Sequence, residues 1–169
     1  TLTGAGTFLH NGGTLVITSN LTAANLVFNG GILAGSPILH GTGYLWNSGD
    51  WGSGTSTTGT IASDGVLTIA TSNDHSFNYR NLVNNGVVNW QGGYLRSGYN
   101  ATFTNSSTGT FNDTADSHLD NPFGGGYSFT FINDGLYVKS GAGTTYLDTY
   151  LNNNGTVNVD AGTVQVDAN

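Results

Sequence analysis

The chain has 169 residues, a formal net charge of −7 and only 8% charged residues, against about 25% in ordinary soluble domains. It has no cysteine and one lysine, which excludes disulfides, thiolate catalysis and zinc–thiolate sites. The scarcity of Lys and Arg also excludes the clustered cations that nucleic acids or anionic membranes require. Gly, Thr and Asn number 27, 24 and 21, glutamate is absent, and long helices are therefore not expected. No apolar run is long enough to span a bilayer as a helix. With 37% hydrophobic and 11% aromatic residues, recurring in short alternating runs, the chain carries enough apolar surface for a thin core and does not fit disorder.

One phrase recurs along the chain: an alternating apolar run, then an Asn-, Asp- or Ser-rich corner ending in Gly. It appears as Phe8-Leu9-His10-Asn11-Gly12, Leu26-Val27-Phe28-Asn29-Gly30 and Leu45-Trp46-Asn47-Ser48-Gly49. It continues as Ile61-Ala62-Ser63-Asp64-Gly65, Leu82-Val83-Asn84-Asn85-Gly86, Phe103 to Gly109, Phe131-Ile132-Asn133-Asp134-Gly135 and Leu151-Asn152-Asn153-Asn154-Gly155. Corner glycines at 12, 30, 49, 65, 86, 109, 135 and 155 give an average period of about 20 residues. Strand-like runs follow the corners, among them Thr14-Leu15-Val16-Ile17, Val66-Leu67-Thr68-Ile69, Val87-Val88-Asn89-Trp90 and Thr156-Val157-Asn158-Val159, with the period of two that places alternate side chains inward.

An antiparallel sandwich also uses short strands and glycine turns. Repetition of a whole 20-residue unit instead favours parallel coils stacked along an axis. The expected fold is all-β: one right-handed parallel β-helix, or β-solenoid, of about eight coils with about 20 residues each, over 1–169. An enlarged coil is expected at about 109–135, carrying Asp113, Asp116, His118, Asp120, Asn121, Pro122 and Gly124-Gly125-Gly126.

Stacked corners would let equivalent Asn side chains hydrogen-bond along the axis. Asn84, Asn133 and Asn153 are candidates for one ladder. Asn11, Asn29, Asn85 and Asn154, each before Gly12, Gly30, Gly86 and Gly155, are candidates for a second. The competing explanation is that Asn and Gly merely tolerate the left-handed corner conformation.

Other chemistries fit less well. Asp113, Asp116 and Asp120 with Asn121 offer an oxygen cluster suited to calcium, although their spacing matches no calcium-loop pattern; no other cofactor is expected. Glycoside cleavage needs two carboxylates across the bond, which Asp113 and Asp116, or Asp residues on neighbouring rungs, could supply. A triad built on His118 and Asp116 lacks a nucleophile elbow, and His10, His40, His75 and His118 lack metal spacing. Thr-x-Thr pairs, which could suit ice, do not recur in every coil. The many aromatics, Trp46, Trp51, Trp90, Tyr94, Tyr99, Tyr127, Tyr137, Tyr146 and Tyr150, leave sugar or protein binding open.

Phe131-Ile132-Asn133-Asp134-Gly135, Lys139-Ser140-Gly141-Ala142-Gly143-Thr144-Thr145 and the stretch from Leu151 to Thr163 closely resemble repeats of very large bacterial extracellular β-solenoid proteins. These are the autotransporter passenger-like and filamentous-haemagglutinin-like adhesins. Val87-Val88-Asn89-Trp90-Gln91-Gly92-Gly93 is similar to another phrase of those repeats. The resemblance implies a location outside the cell or at its surface and a non-enzymatic structural or adhesive role, with glycans or cell-surface proteins as partners. The closing strand pattern Gly162-Thr163-Val164-Gln165-Val166-Asp167 shows no polar cap, so self-association through open solenoid ends is expected. The expected alternative is a carbohydrate-binding or polysaccharide-cleaving β-helix.

Overall fold

The computed structural model describes residues 1–52, 54–123 and 129–167. Three parallel sheets form a β-solenoid of seven turns and a partial eighth, and no helix occurs among the described residues. Sheet 1 stacks Phe8–His10, Leu26–Phe28, Tyr44–Trp46, Val66–Ile69, Val87–Trp90, Thr110–Asp113, Leu136–Lys139 and Thr156–Val159. Sheet 2 stacks Thr14–Val16, Ile32–Ala34, Gly49–Asp50, His75–Ser76, Leu95–Arg96, His118–Asp120, Thr144–Asp148 and Thr163–Val166. Sheet 3 stacks Asn20–Thr22, Ile38–His40, Thr57–Ile61, Arg80–Asn84, Thr102–Asn105, Thr130–Asn133 and Tyr150–Asn153.

Each coil thus visits sheets 1, 2 and 3 in turn, and every interstrand pairing is parallel. Register partners in sheet 1 lie 18 residues apart at Phe8 and Leu26 and 26 apart at Phe111 and Tyr137. The mean rise per turn is about 21 residues, slightly above the spacing of the corner glycines.

The difference has a definite origin. Asn11-Gly12, Asn29-Gly30 and Asn47-Ser48 lie between sheets 1 and 2, with Gly49 opening the sheet 2 strand, whereas Gly65, Gly86, Gly109, Gly135 and Gly155 lie between sheets 3 and 1. The recurring phrase therefore marks two different corners, and the short step from Gly49 to Gly65 is a change of corner rather than a short coil. Both corners look alike because both end an inward-facing strand and begin another.

Glycine serves the two corners differently. Gly13, Gly31 and Gly49 at the first have φ of 73°, 81° and 99°, where a Cβ is disfavoured. The glycines of the second corner do not have positive φ. At Gly86 a Cβ would lie 2.3 Å from the carbonyl oxygens of Ala62 and Gly65, and at Gly155 it would lie 2.2 Å from that of Gly135. Close packing of backbone on backbone between rungs excludes any larger residue there.

Alternation buries one side of each strand. Leu26, Tyr44, Leu67, Val88, Phe111 and Tyr137 form one inward row of sheet 1 and are buried. In the later coils aromatic rings fill the interior edge to face: Phe103 and Phe131 lie 5.6 Å apart, and Phe111 and Tyr137 lie 5.6 Å apart. In the earlier coils Trp46 stacks on Trp51 at 4.6 Å. Such large side chains fit a thin core because each spans the space between facing sheets.

Candidate functional site

Side chains laddered from rung to rung are the feature that most sets this chain apart. The last residues of the sheet 3 strands are Asn84, Asn105, Asn133 and Asn153, all in register. Asn84 Nδ2 donates to Asn105 Oδ1 at 2.8 Å, Asn105 Nδ2 to Asn133 Oδ1 at 2.8 Å, and Asn133 Nδ2 to Asn153 Oδ1 at 2.7 Å. Each of the first three also donates to a backbone carbonyl at the next corner: Thr110, Leu136 and Thr156 respectively. Asn84, Asn105 and Asn133 are fully buried. Asn suits the position because one amide supplies an acceptor and two donors, all of which the stack engages.

Of the expected corner series, Asn11 and Asn29 are bonded, Asn29 Nδ2 to Asn11 Oδ1 at 3.2 Å, and Asn47 extends them with a 2.8 Å bond to Asn29. Asn85 and Asn154 do not join them, because they occupy the other corner. Asn154 donates instead to Asp134 Oδ1 at 2.9 Å, and the Asn85 carbonyl accepts from the Thr108 hydroxyl at 2.9 Å. Gly86 and Gly155 belong with this second corner, and Gly12 and Gly30 with the first.

Asp113, Asp116 and Asp120 do not converge, and no group of three metal-ligating side chains occurs among the described residues. Asp113 points into the core, where Oδ2 accepts from Tyr137 Oη at 2.7 Å and Oδ1 from the Ala115 amide at 2.9 Å. Beside that carboxylate, burial pushes the Tyr137 hydroxyl far above its ordinary range. Asp116 has φ 49° and receives the Lys139 ammonium, which also donates to the Gly141 carbonyl at 2.9 Å. Lys139 Nζ thereby holds the Asp116 carboxyl below its usual range. Asp120 faces outward with Arg96 Nε 3.9 Å away. A calcium cage is thus replaced by three separate protein partners. Gly124, Gly125, Gly126 and Tyr127 lie outside the described residues.

The outer face of sheet 2 collects most of the remaining charge. His118 Nδ1 contacts Asp148 Oδ2 at 2.5 Å, not Asp116, so the imagined triad is not assembled. Arg96 bonds Asp74 and lies 5.3 Å from the Phe123 ring centre. Burial and the neighbouring Asp148 push the Asp120 carboxyl up, while Arg96 opposes them. His118 also stacks on Tyr146 at 4.5 Å with 13° between the planes, and Tyr94 lies 4.6 Å from His118. These rings cover one another's faces along the axis. Trp46, Trp51, Trp90 and Tyr137 are buried, whereas Tyr94 and Tyr150 are exposed. Tyr99 is half-buried and stacks on Tyr79 at 4.2 Å.

Thr58-x-Thr60 and Thr102-x-Thr104 do share the outer face of sheet 3, but Asn81 and Val83 occupy the rung between them. Hollows of about 220 and 240 Å³ lie beside Leu2 and Phe8 at the first coil and beside Val27, Gly43 and Leu45 on sheet 1. Neither is lined by an acidic or basic side chain.

The site that sequence reasoning missed is the interior one. His75, Arg80 and Lys139 are fully buried, although basic residues ordinarily signal surface. Their only signal is parity: each occupies an inward position of the alternation. The chain was compared with protein-family models, curated proteins and solved structures, and none of them matches.

Proposed function

We propose that the chain is a non-enzymatic structural module of an extracellular, adhesin-like β-solenoid, and that its work is to stack coil upon coil. One observation carries this reading: all three sheets keep parallel register from coil to coil, and the buried amides of Asn84, Asn105 and Asn133 bond one rung to the next along the axis, as far as Asn153. Phe8 is 42% exposed, while its register partner Leu26 is fully buried. Val159 and Val166 are each 48% exposed, while their partners Lys139 and Leu147 are fully buried. The two ends also present the same three sheets with strands running in the same sense, so a coil laid on either end repeats the pairing used inside.

Burying such a side chain contributes about 1.5–3 kcal/mol when complete, and the backbone of an uncovered edge strand is itself a template for pairing. In a solution of this chain alone, the covering coil comes from a second copy. The association is head to tail and does not close. The chemistry of the outer faces agrees with a structural role. Histidine, carboxylates and tyrosine rings on sheet 2 engage one another along the axis instead of converging on a free space. Bacterial origin, surface location and adhesion to glycans or surface proteins follow from the sequence resemblance and remain part of the same proposal.

Sedimentation velocity over a concentration series tests it. Mass should rise in whole-chain steps, and Val157→Lys and Val164→Lys at one end should hold the chain monomeric. Concentration-independent monomers of the unmodified chain would refute end-to-end stacking, and cleavage of a polysaccharide substrate would refute the non-enzymatic reading.

A further inference from the structure

The corner between sheets 2 and 3 carries a tyrosine in both the fourth and the fifth coil. Phe77-Asn78-Tyr79-Arg80 makes the turn in the fourth, closed by a 3.2 Å bond from the Arg80 amide to the Phe77 carbonyl. Gly98-Tyr99-Asn100-Ala101 makes it in the fifth, closed by a 3.1 Å bond from the Ala101 amide to the Gly98 carbonyl. Tyr79 and Tyr99 both stand in the left-handed region, with φ of 60° and 56°. A bulky aromatic residue is an outlier there, and such a conformation persists only where its surroundings fix it.

The two turns place these tyrosines one above the other on successive rungs. Their ring centres are 4.2 Å apart with 10° between the planes, and both residues keep partial access to solvent. The Tyr79 hydroxyl is pushed above its ordinary range by desolvation and then by the Tyr99 hydroxyl beside it, so the two phenol oxygens lie at the same end of the stack. Parallel rings with adjacent oxygens also bring together the ring carbons next to those oxygens. Other tyrosines have different neighbours. Tyr94 and Tyr146 face the His118 ring, while Tyr44 and Tyr137 are buried with their hydroxyls bonded.

Two phenols with neighbouring ring carbons, open to solvent, are what oxidative coupling requires. We propose that Tyr79 and Tyr99 form a cross-linking site, at which a one-electron oxidant joins the fourth coil to the fifth through a carbon–carbon bond. Each phenol gives one electron to the oxidant and its hydroxyl proton to water. The two radicals couple at the carbons beside their oxygens, and the C–H protons at those carbons move to the oxygens and restore both aromatic rings. Each link thus costs two electrons and two protons, which a peroxide takes up as it is reduced to two waters. The product is a covalent restraint between rungs that are otherwise held by hydrogen bonds and packing.

Brief visible-light oxidation of the dilute chain with ruthenium tris(bipyridine) and persulfate, which withdraws electrons singly, tests the proposal. The expected product is a monomer two hydrogen atoms lighter, with the blue fluorescence of coupled phenols and a proteolytic fragment linking Tyr79 to Tyr99. Its yield should not depend on protein concentration. Tyr79→Phe and Tyr99→Phe should each lower it at least tenfold, and Tyr94→Phe should leave it unchanged. Circular dichroism confirms that each variant is folded; if one is not, the other and the fragment map of the parent chain carry the test. Oxidation in urea should abolish the selective link, because stacking rather than sequence directs it. Absence of coupled monomer from the folded chain, a link mapped to other tyrosines, covalent dimers through exposed Tyr94 or Tyr150 as the main product, or an equal Tyr79–Tyr99 yield in urea would each overturn it.

Discussion

Replacing Asn105 by Ala should destabilise the chain far more than loss of an Asn on the outer face. Asn105 Oδ1 accepts from Asn84, and its Nδ2 donates to Asn133 Oδ1 and to the Leu136 carbonyl. All three bonds are lost, and each contributes about 1 kcal/mol net. The groups left behind are also buried, with no water to replace the missing amide. The expected cost is about 3–4 kcal/mol. Asn112→Ala is the matched control, because Asn112 makes one bond of 2.9 Å to Asn89 on the outer face and should cost under about 1 kcal/mol. Urea denaturation followed by circular dichroism measures both. Repeat arrays can unfold in stages, so hydrogen exchange should accompany it and show loss of protection across coils four to seven. An Asn105→Ala cost no larger than that of Asn112→Ala would refute the claim that the buried amide ladder holds these rungs together.

Four further outcomes follow from the buried charges and rings. Burial pushes the Asp50 carboxyl up to about 6 from an ordinary 3.8, so the folded chain binds that proton more tightly than the unfolded chain. The stabilisation is fully present below about pH 4 and is lost as pH rises through about 6; Asp50→Asn should therefore gain stability relative to the parent at pH 7.5 and lose that advantage near pH 4. Asp116 has the opposite sign. Its carboxyl is held low by Lys139, so its contribution is present at neutral pH and is lost as pH falls below the usual carboxylate range, and Lys139→Met should remove that acid dependence in pH-dependent melting. Because the Lys139 side chain is 0% exposed and that of Asp116 is 35% exposed, Asp116→Ala should cost more in chemical denaturation than Lys139→Met. Removing the carboxylate strands a buried ammonium, at about 3–5 kcal/mol, whereas removing the ammonium leaves a carboxylate that water can reach. Tyr146→Ala should cost under about 1.5 kcal/mol, the scale of a partly exposed ring pair, and should shift the His118 ring resonances in NMR spectra because its stacking partner is gone.

Much of the fold is legible in the chain because stacking repeats the same local physics. Alternation in Val87-Val88-Asn89-Trp90 names the inward Val88 and Trp90, and the structure buries both. Asn84, Asn133 and Asn153 are likewise readable as one ladder. Asn105 escapes because Ser106-Ser107-Thr108 separates it from Gly109, so the corner phrase no longer aligns. Sheet 2 is also partly hidden. Strands of two residues such as His75–Ser76 and Leu95–Arg96 are too short for alternation to be recognised, and the turn from sheet 2 to sheet 3 has no constant residue. The two glycine corners could not be told apart, since one needs positive φ and the other needs the absence of a Cβ, and both write the same letter. Arg80 and Lys139 look like surface charge by residue type; Arg80 finds the Leu33 carbonyl by reaching across the thin core, and Lys139 finds Asp116 and the Gly141 carbonyl at the adjoining corner.

The most direct test of the stacking account is negative-stain electron microscopy of the purified chain across a concentration series. Eight rungs at about 4.8 Å give a rod of about 38 Å per copy. The account predicts rods of constant width whose lengths increase in multiples of that unit as concentration rises, and shorten again when Val157→Lys or Val164→Lys charges one end. Single-length particles at every concentration, indifferent to those substitutions, would contradict it.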